Sequence, residues 1–279
     1  MNAYYSKKFN KTLLLKSSVL LICLFFSIFF NLSTAYSKII SYNKTIILKK
    51  SGEIVFYEKK IVKTTNCLEK IKKDLNLNET YKITNTNIEV KFLNKTKVSG
   101  RFKEETSHKK TLIYEFENPV CNNEILIILN YTFFPGLILE KEDVDARIHI
   151  NGEDEKIEEL RIKLFSPEKI NNSVFWVRPY FLNKKINFIN ETTVEIILKD
   201  IPSHEDIFVR TLFPKDNFTT GFFLGGNQLR NSIINYEEKE KNKEKMEGYL
   251  LYFYLFIIIV SSFIIIKTKT FLKKLKKKK

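Results

Sequence analysis

From Tyr249 to Ile266 the chain runs for eighteen residues, YLLYFYLFIIIVSSFIII, without a charged side chain. The thirteen residues after it, Lys267–Lys279, carry eight lysines and no acid. Coiled as a helix, the run is about 27 Å long, close to the thickness of a bilayer's hydrocarbon layer. Tyr249, Tyr252 and Tyr254 cluster at its upstream end as an interfacial aromatic belt does, and the lysines behind it act as a stop-transfer signal that stays in the cytoplasm. A buried core helix needs later chain to pack against, and a lysine tail offers none. The reading is a transmembrane helix over 249–266, with everything upstream on the other side of the membrane.

The other end agrees. The basic stretch MNAYYSKKFNKTLLLK leads into a 14-residue apolar run, Ser17–Phe30, and then to small residues Ser33 and Ala35. That pattern predicts a secretory signal peptide over residues 1–35, cleaved after Ala35; an uncleaved anchor is the alternative. Either way the next residue emerges outside. The expected organisation is type I single-pass: an extracytoplasmic domain over 36–222, a polar juxtamembrane stalk over 223–248, the span, and a basic cytoplasmic tail. Localisation is then the cell membrane, with the ectodomain outside.

The net charge of +15 suggests nucleic acid only until it is placed along the chain. Residues 1–35 hold four lysines and no acid, the tail holds eight lysines, and 36–266 is only +3. A nucleic-acid binder carries its charge on the folded face that meets phosphate; here the excess flanks apolar runs and sets topology. The tail lysines can also hold anionic membrane lipid, at about 1 kcal/mol each near the surface. In a eukaryotic cell Lys276 and Lys277 fit a dilysine retrieval signal, which would make the chain a glycoprotein retained in the endoplasmic reticulum.

Between Tyr36 and Glu247 the apolar period is two, not 3.6. Alternating, β-branched and aromatic runs such as KIISYNKTIILK (38–49), EIVFYEKKIVK (53–63) and EILIILNYTFF (124–134) are separated by turns at Ser51-Gly52, Ser99-Gly100, Asn151-Gly152 and Pro202-Ser203. Ten or so short strands predict a mainly β fold, an antiparallel β-sandwich or two consecutive sandwich-like units, followed by the one transmembrane helix. Inside the domain a helix is expected at Cys67–Leu75, CLEKIKKDL. Gln228–Glu247 reads as a second helical stretch, without an apolar face, and so as a solvated stalk.

On the oxidising side of a membrane, Cys67 and Cys121 are expected to form a disulfide, contributing about 4 kcal/mol in the chain-entropy view. Two free buried thiols are the alternative, and Cys23 leaves with the signal. Asn-X-Ser/Thr sites at Asn43, Asn78, Asn94, Asn171, Asn190 and Asn217 are glycan candidates; Asn130 fits the motif but lies within a predicted strand.

Chemistry is sparse. His149 alternates with Ile148 and Ile150 and so faces away from the core, as a rim imidazole. His108 sits in a lysine-rich loop. Ser203-His204-Glu205-Asp206 contains the residue types of a hydrolase triad, but triad members meet from separate elements, so a turn is the better reading. The acidic run Glu140–Asp145 and Glu153-Asp154-Glu155 lack calcium-loop spacing and read as solvated loop faces. No signature of a metal site, phosphate loop or acyl-transfer nucleophile is present, so no catalytic, cofactor or metal-binding residue is assigned. The expectation is a non-enzymatic structural or interaction module with an unidentified protein partner. The alternative is an envelope enzyme or enzyme subunit using Glu195, Glu205 or Asp206.

The segment Val174–Phe218 resembles predicted prokaryotic membrane proteins carrying domain of unknown function 2207. The resemblance rests on Trp176 and Pro179, Ile201-Pro202, Arg210 and Phe213-Pro214, with looser similarity through KIISYNKTIILKKSGEIVFYEKKIV, ILNYTFFPGLI and IEELRIKLFSP. It implies a signal-led, membrane-anchored extracytoplasmic β-sandwich with no assigned activity. The chain lacks the long C-terminal region of many such proteins. For Arg210 the plainest role is pairing with a carboxylate, and for Phe213-Pro214 closing the core.

Overall fold

The computed structural model describes residues 37–76, 82–106, 109–215, 218 and 224–276. The signal segment, Cys23, His108, Asn78 and Asn217 lie outside them. In chain order the strands are β1 (Ser37–Leu48), β2 (Ile54–Thr64), β3 (Leu68–Asn76), β4 (Lys82–Phe92), β5 (Gly100–Thr106), β6 (Lys109–Val120), β7 (Glu124–Phe134) and β8 (Leu137–Leu139). They continue as β9 (Asp143–Ile150), β10 (Ile157–Phe165), β11 (Val174–Arg178), β12 (Asn183–Asn190), β13 (Thr193–Ile201), β14 (Ile207–Pro214) and β15 (Leu224–Gly225), and a helix α1 (Arg230–Lys276) follows.

The strands form a seven-stranded sheet in the order β12-β13-β10-β1-β2-β7-β4, a five-stranded sheet β11-β14-β9-β8-β15 and a three-stranded sheet β3-β6-β5. The mainly β expectation holds. The chain does not form two consecutive units, because β1 and β10, from separate halves, pair in the middle of the large sheet. That pairing and β8–β15 are parallel; the other ladders are antiparallel.

Alternation explains the large sheet directly. Leu160, Ile162 and Leu164 of β10 and Val194, Ile196 and Leu198 of β13 are all fully buried and stand opposite one another in register. Tyr42, Ile46 and Leu48 of β1 continue that face. One apolar core collects inward residues from all three sheets, including Val144, Ile148 and Val209 of the second and Leu75, Leu112 and Tyr114 of the third.

The segment expected to be helical, Cys67–Leu75, is strand β3 in the structure. Its apolar residues Leu68, Ile71 and Leu75 have helical spacing, yet two constraints override it. Cys67 is disulfide-bonded to Cys121, just beyond β6, and β3 pairs with β6 antiparallel through a bulge between Leu68 and Lys70. The strand then turns Lys73 inward, and a carboxylate is waiting for it.

That carboxylate belongs to a charged cluster inside the core. Lys44 and Glu58 are direct cross-strand partners on β1 and β2, 2% and 3% exposed, with Nζ 2.7 Å from Oε1. Tyr131 of β7 donates to Glu58 at 2.5 Å, Tyr42 donates to its other oxygen, and Lys44 also donates to the Tyr131 hydroxyl at 3.1 Å. A little outward, Glu153 joins Lys60 of β2 at 2.6 Å and Lys73 of β3 at 3.0 Å, tying the third sheet to the first. Burial alone raises a carboxylate's pKa, but the ammonium groups outweigh it. Glu58 is held well below the usual range by Lys44 and Lys73, and Glu153 at about 2 by Lys60 and Lys73.

Two outcomes are expected. Glu58→Gln strands the Lys44 ammonium in the core and lowers unfolding free energy by about 3–5 kcal/mol, whereas Lys44→Met with Glu58→Gln recovers most of it, read from urea unfolding of the full chain in detergent. Because the folded pKa of Glu153 lies below its ordinary 4.5, its contribution is present above pH 4.5 and lost as pH falls toward 2. The protection factors of β3 amides, exchange taken relative to the intrinsic rate at each pH, should fall across that window, and Glu153→Gln should abolish the dependence.

Candidate functional site

The outward face of the five-stranded sheet is where the chain's charged and aromatic residues meet. In register across β11, β14 and β9 stand two rows: Arg178, Phe208 and His149, then Trp176, Arg210 and Arg147. His149 stacks on Phe208 with ring centroids 4.3 Å apart, and the Arg178 guanidinium lies 5.9 Å from the same ring. His149 Nε2 is 3.0 Å from Asp206, which also accepts the Gly152 N–H at 2.6 Å.

Helix α1 lies along this face. Arg230, Ile233, Glu237, Glu240 and Glu244 recur at spacings of three and four, so they form one stripe, and that stripe meets the sheet. Glu237 is fully buried; it accepts from Arg210 at 3.0 Å, Arg178 at 3.3 Å and the Tyr180 hydroxyl at 2.9 Å. Arg210 is the hinge of the arrangement, because its other nitrogens grip Asp145 of β9 at 2.6–3.1 Å. Arg230 pairs with Asp143, and the Tyr180 N–H donates to Glu244 at 2.5 Å. The stretch read as a solvated stalk is therefore docked over its first turns. Its apolar periodicity is missing because the docking stripe is charged, and the partners that neutralise it lie far away in sequence.

The acidic run Glu140–Asp145 is corrected in the same way. Glu140, Asp143 and Asp145 are 3%, 1% and 0% exposed, each facing an arginine, not solvent. Glu140 takes the Gln228 N–H at 2.7 Å and Arg147 at 3.3 Å. Gly226 packs so closely on it that an added Cβ would overlap the carboxylate. Among the described residues no group of His, Cys, Asp and Glu side chains could hold a metal ion.

Between the sheet face and the start of α1 a cleft of about 770 Å³ remains, walled by Phe208, His149, Tyr236 and Leu229 and rimmed by Arg147, Arg178 and Lys141. Arg178 sits 5.8 Å from the Tyr236 ring as well. The acids beneath are sealed, while the Arg147 side chain is about half exposed. What faces a ligand is aromatic and cationic.

The other sequence candidates are scattered. Glu195 is on β13 opposite Lys163, in the large sheet. Glu205 lies in the turn before β14, its pKa raised by burial and by Asp206 and Glu244; neither it, Glu195 nor Asp206 lines the cleft. His204 is exposed, has a left-handed φ of 61° and pairs with Asp154 at 3.5 Å. Of the motif residues, Trp176 and Arg210 are cross-strand partners on the cleft face; Pro179 is buried; Phe213 is fully buried between Phe175 and Phe218, and Pro214 ends β14. Asn43, Asn94, Asn171 and Asn190 are exposed, whereas Asn130 is half-buried within β7.

No protein-family profile matches the chain, and no curated protein does. Among solved structures it is similar to a candidate protease from Parabacteroides distasonis (10% identity, TM-score 0.46, covering 65% of this chain and 41% of that one). It is also similar to an M1 zinc metallopeptidase from Deinococcus radiodurans (9% identity, TM-score 0.38, 63% and 42%). The chain spans about two fifths of those proteins. At these TM-scores the likenesses carry no argument about its chemistry.

Glu237→Ala removes the carboxylate that Arg210 and Arg178 share and should loosen α1 by about 3–5 kcal/mol. The expected result is faster hydrogen exchange over Asn231–Glu244 with the Tyr252–Val260 amides unchanged. Unaltered exchange over 231–244 would show that something else holds the helix.

Proposed function

We propose that this is a single-pass membrane protein whose β domain stands outside the cell as a non-catalytic interaction module, its binding face being the aromatic and cationic cleft beside α1. The observation that carries the reading is the continuity of α1, which runs from Glu237, sealed inside the domain's ion pairs, into the uncharged run that begins at Tyr249. The helix is long and apolar enough to cross a membrane. Tyr252 to Val260 face outward with no protein packed against them, and Ser261 and Ser262 return their hydroxyls to the carbonyls of Ile257 and Ile258 at 2.6 and 2.8 Å. Internal satisfaction of that kind is what hydrocarbon demands of a hydroxyl.

A binding role, not a catalytic one, is favoured because the carboxylates beneath the cleft are buried, each paired with an arginine, and none of them lines the cleft. The resemblance of Val174–Phe218 to envelope proteins with domain of unknown function 2207 supports the same reading, since Trp176 and Arg210 build the wall that receives α1. The partner expected for this surface is acidic with exposed aromatic groups, recognised by Arg147 and Arg178 and by the Phe208 and Tyr236 rings. Anionic lipid at the Lys tail belongs to the same proposal.

Cysteine labelling with an impermeant maleimide tests the topology. Ser203→Cys should react on intact cells and Lys278→Cys only after permeabilisation; the reverse pattern overturns the orientation. A photoreactive side chain at Phe208 should give one recurrent adduct that the same group at Phe188 does not. Adducts at both positions alike, or at neither, would remove the cleft as the binding face.

A further inference from the structure

We infer that the turn after β11 together with the first residues of β12, Tyr180–Lys185, is a membrane-contact element, with Phe181 inserted among the lipid headgroups beside α1. The inference rests on the proposal that α1 spans the bilayer.

The geometry comes from the way β11 and α1 lie along each other. At one end Arg230 donates to the Asn172 carbonyl, and at the other the Tyr180 N–H donates to Glu244. Fourteen helical residues cover about 21 Å. The stretch from Asn172 to Tyr180, whose middle is the strand Val174–Arg178, covers at most about 26 Å. The two elements therefore run side by side in the same direction, and the turn after β11 reaches Glu244, with Phe181 lining the same cleft as Gly248. Glu244 precedes Tyr249, where the uncharged run begins, by five residues or about 8 Å of helix. A phenylalanine side chain and the headgroup layer are of that order.

The chemistry of the loop fits that depth. Phe181 is 67% exposed, in a domain whose other large apolar residues are mostly buried. An aromatic ring is the side chain most at home between water and hydrocarbon. Lys184 lies 4.7 Å from the Tyr180 ring and donates to the Val177 carbonyl, which holds the loop in shape. Lys185, Lys241 and Lys245 are exposed around it, placing ammonium groups where lipid phosphates lie. Between the loop and the helix is a cleft of about 620 Å³ that reaches Gly248, the last residue before the uncharged run.

The neighbouring turn at Pro202–Asp206 offers no such element. Its Glu205 feels the charge of Glu244, and it carries acids without a large apolar side chain. Phe188 is almost as exposed as Phe181, at 62%, but packs against Phe175, five residues up the chain from Tyr180. It lies roughly 16 Å further from the bilayer. Phe188 is therefore an internal control with similar exposure and different depth.

The experiment is tryptophan quenching of the full chain in nanodiscs whose lipids are brominated near the glycerol end of the acyl chain. In a Trp176→Phe background, Phe181→Trp should lose about half its emission, as an aromatic at the interface does. Phe188→Trp should lose none, and Tyr254→Trp should be strongly quenched. If Tyr254→Trp is quenched and Phe181→Trp is not, the membrane contact is wrong while the span stands. If Tyr254→Trp is unquenched, the span itself fails and the contact falls with it. A diazirine-bearing lipid tests the unsubstituted protein: adducts on the peptide containing Tyr180–Lys185 are expected, and adducts on α1 alone would overturn the contact.

Discussion

The Arg210 side chain sits at the centre of the contacts that hold α1 against the β domain. It reaches Asp145 on one side and Glu237 on the other, so one guanidinium fastens a strand of the five-stranded sheet to the first turns of α1. A planar fork with several donors can do this; an ammonium group cannot span two carboxylates in fixed directions. Glu237 sits without solvent, and its charge is tolerable only because Arg210, Arg178 and the Tyr180 hydroxyl surround it. The cleft, the docking of α1 and the position of the Tyr180–Lys185 loop all depend on that joint.

A second set of charges performs a comparable service inside the domain. Lys44 and Glu58 face each other on β1, the central strand of the large sheet, and its neighbour β2, where apolar residues would pack equally well. Such pairs are weak as sources of stability, because desolvation offsets much of the attraction. Their directional demands differ from those of a Leu or Ile. Two tyrosine hydroxyls converge on Glu58, and Lys73 has to come inward to meet Glu153. The arrangement favours one register of β1 on β2 and one placement of β3, since any slip leaves a charge unpaired in the core.

The two networks divide the labour. The inner cluster fixes how the sheets meet, and the outer one fixes how the domain meets its helix. Between them stands β9, whose inward residues Val144, Ala146 and Ile148 belong to the core and whose outward residues Asp145, Arg147 and His149 make the cleft face. One strand with a side in each environment therefore links the packing of the core to the cleft face on which α1 is docked.

Period-two alternation, the turn residues, the uncharged run at 249–266 and the Cys67–Cys121 pair are local or compositional features, and the sequence by itself determined them: the mainly β class, the helix able to cross a membrane and the chemistry available to the two sulfurs. Inward charges were also legible in principle, since Lys44, Glu58 and Lys60 occupy the same alternating phase as Ile46, Phe56 and Val62. Only the tertiary structure decided what those charges do. Cys67–Leu75 carries helical spacing and became a strand because a disulfide, a neighbouring strand and Glu153 act on it from afar. The acids Asp143 and Asp145 and the charged stripe of α1 look like solvated faces until Arg230, Arg210 and Arg178 are brought against them. Charge pairing between residues dozens to nearly a hundred positions apart leaves no periodic trace in a sequence, because each partner is polar and is marked as buried only by the other.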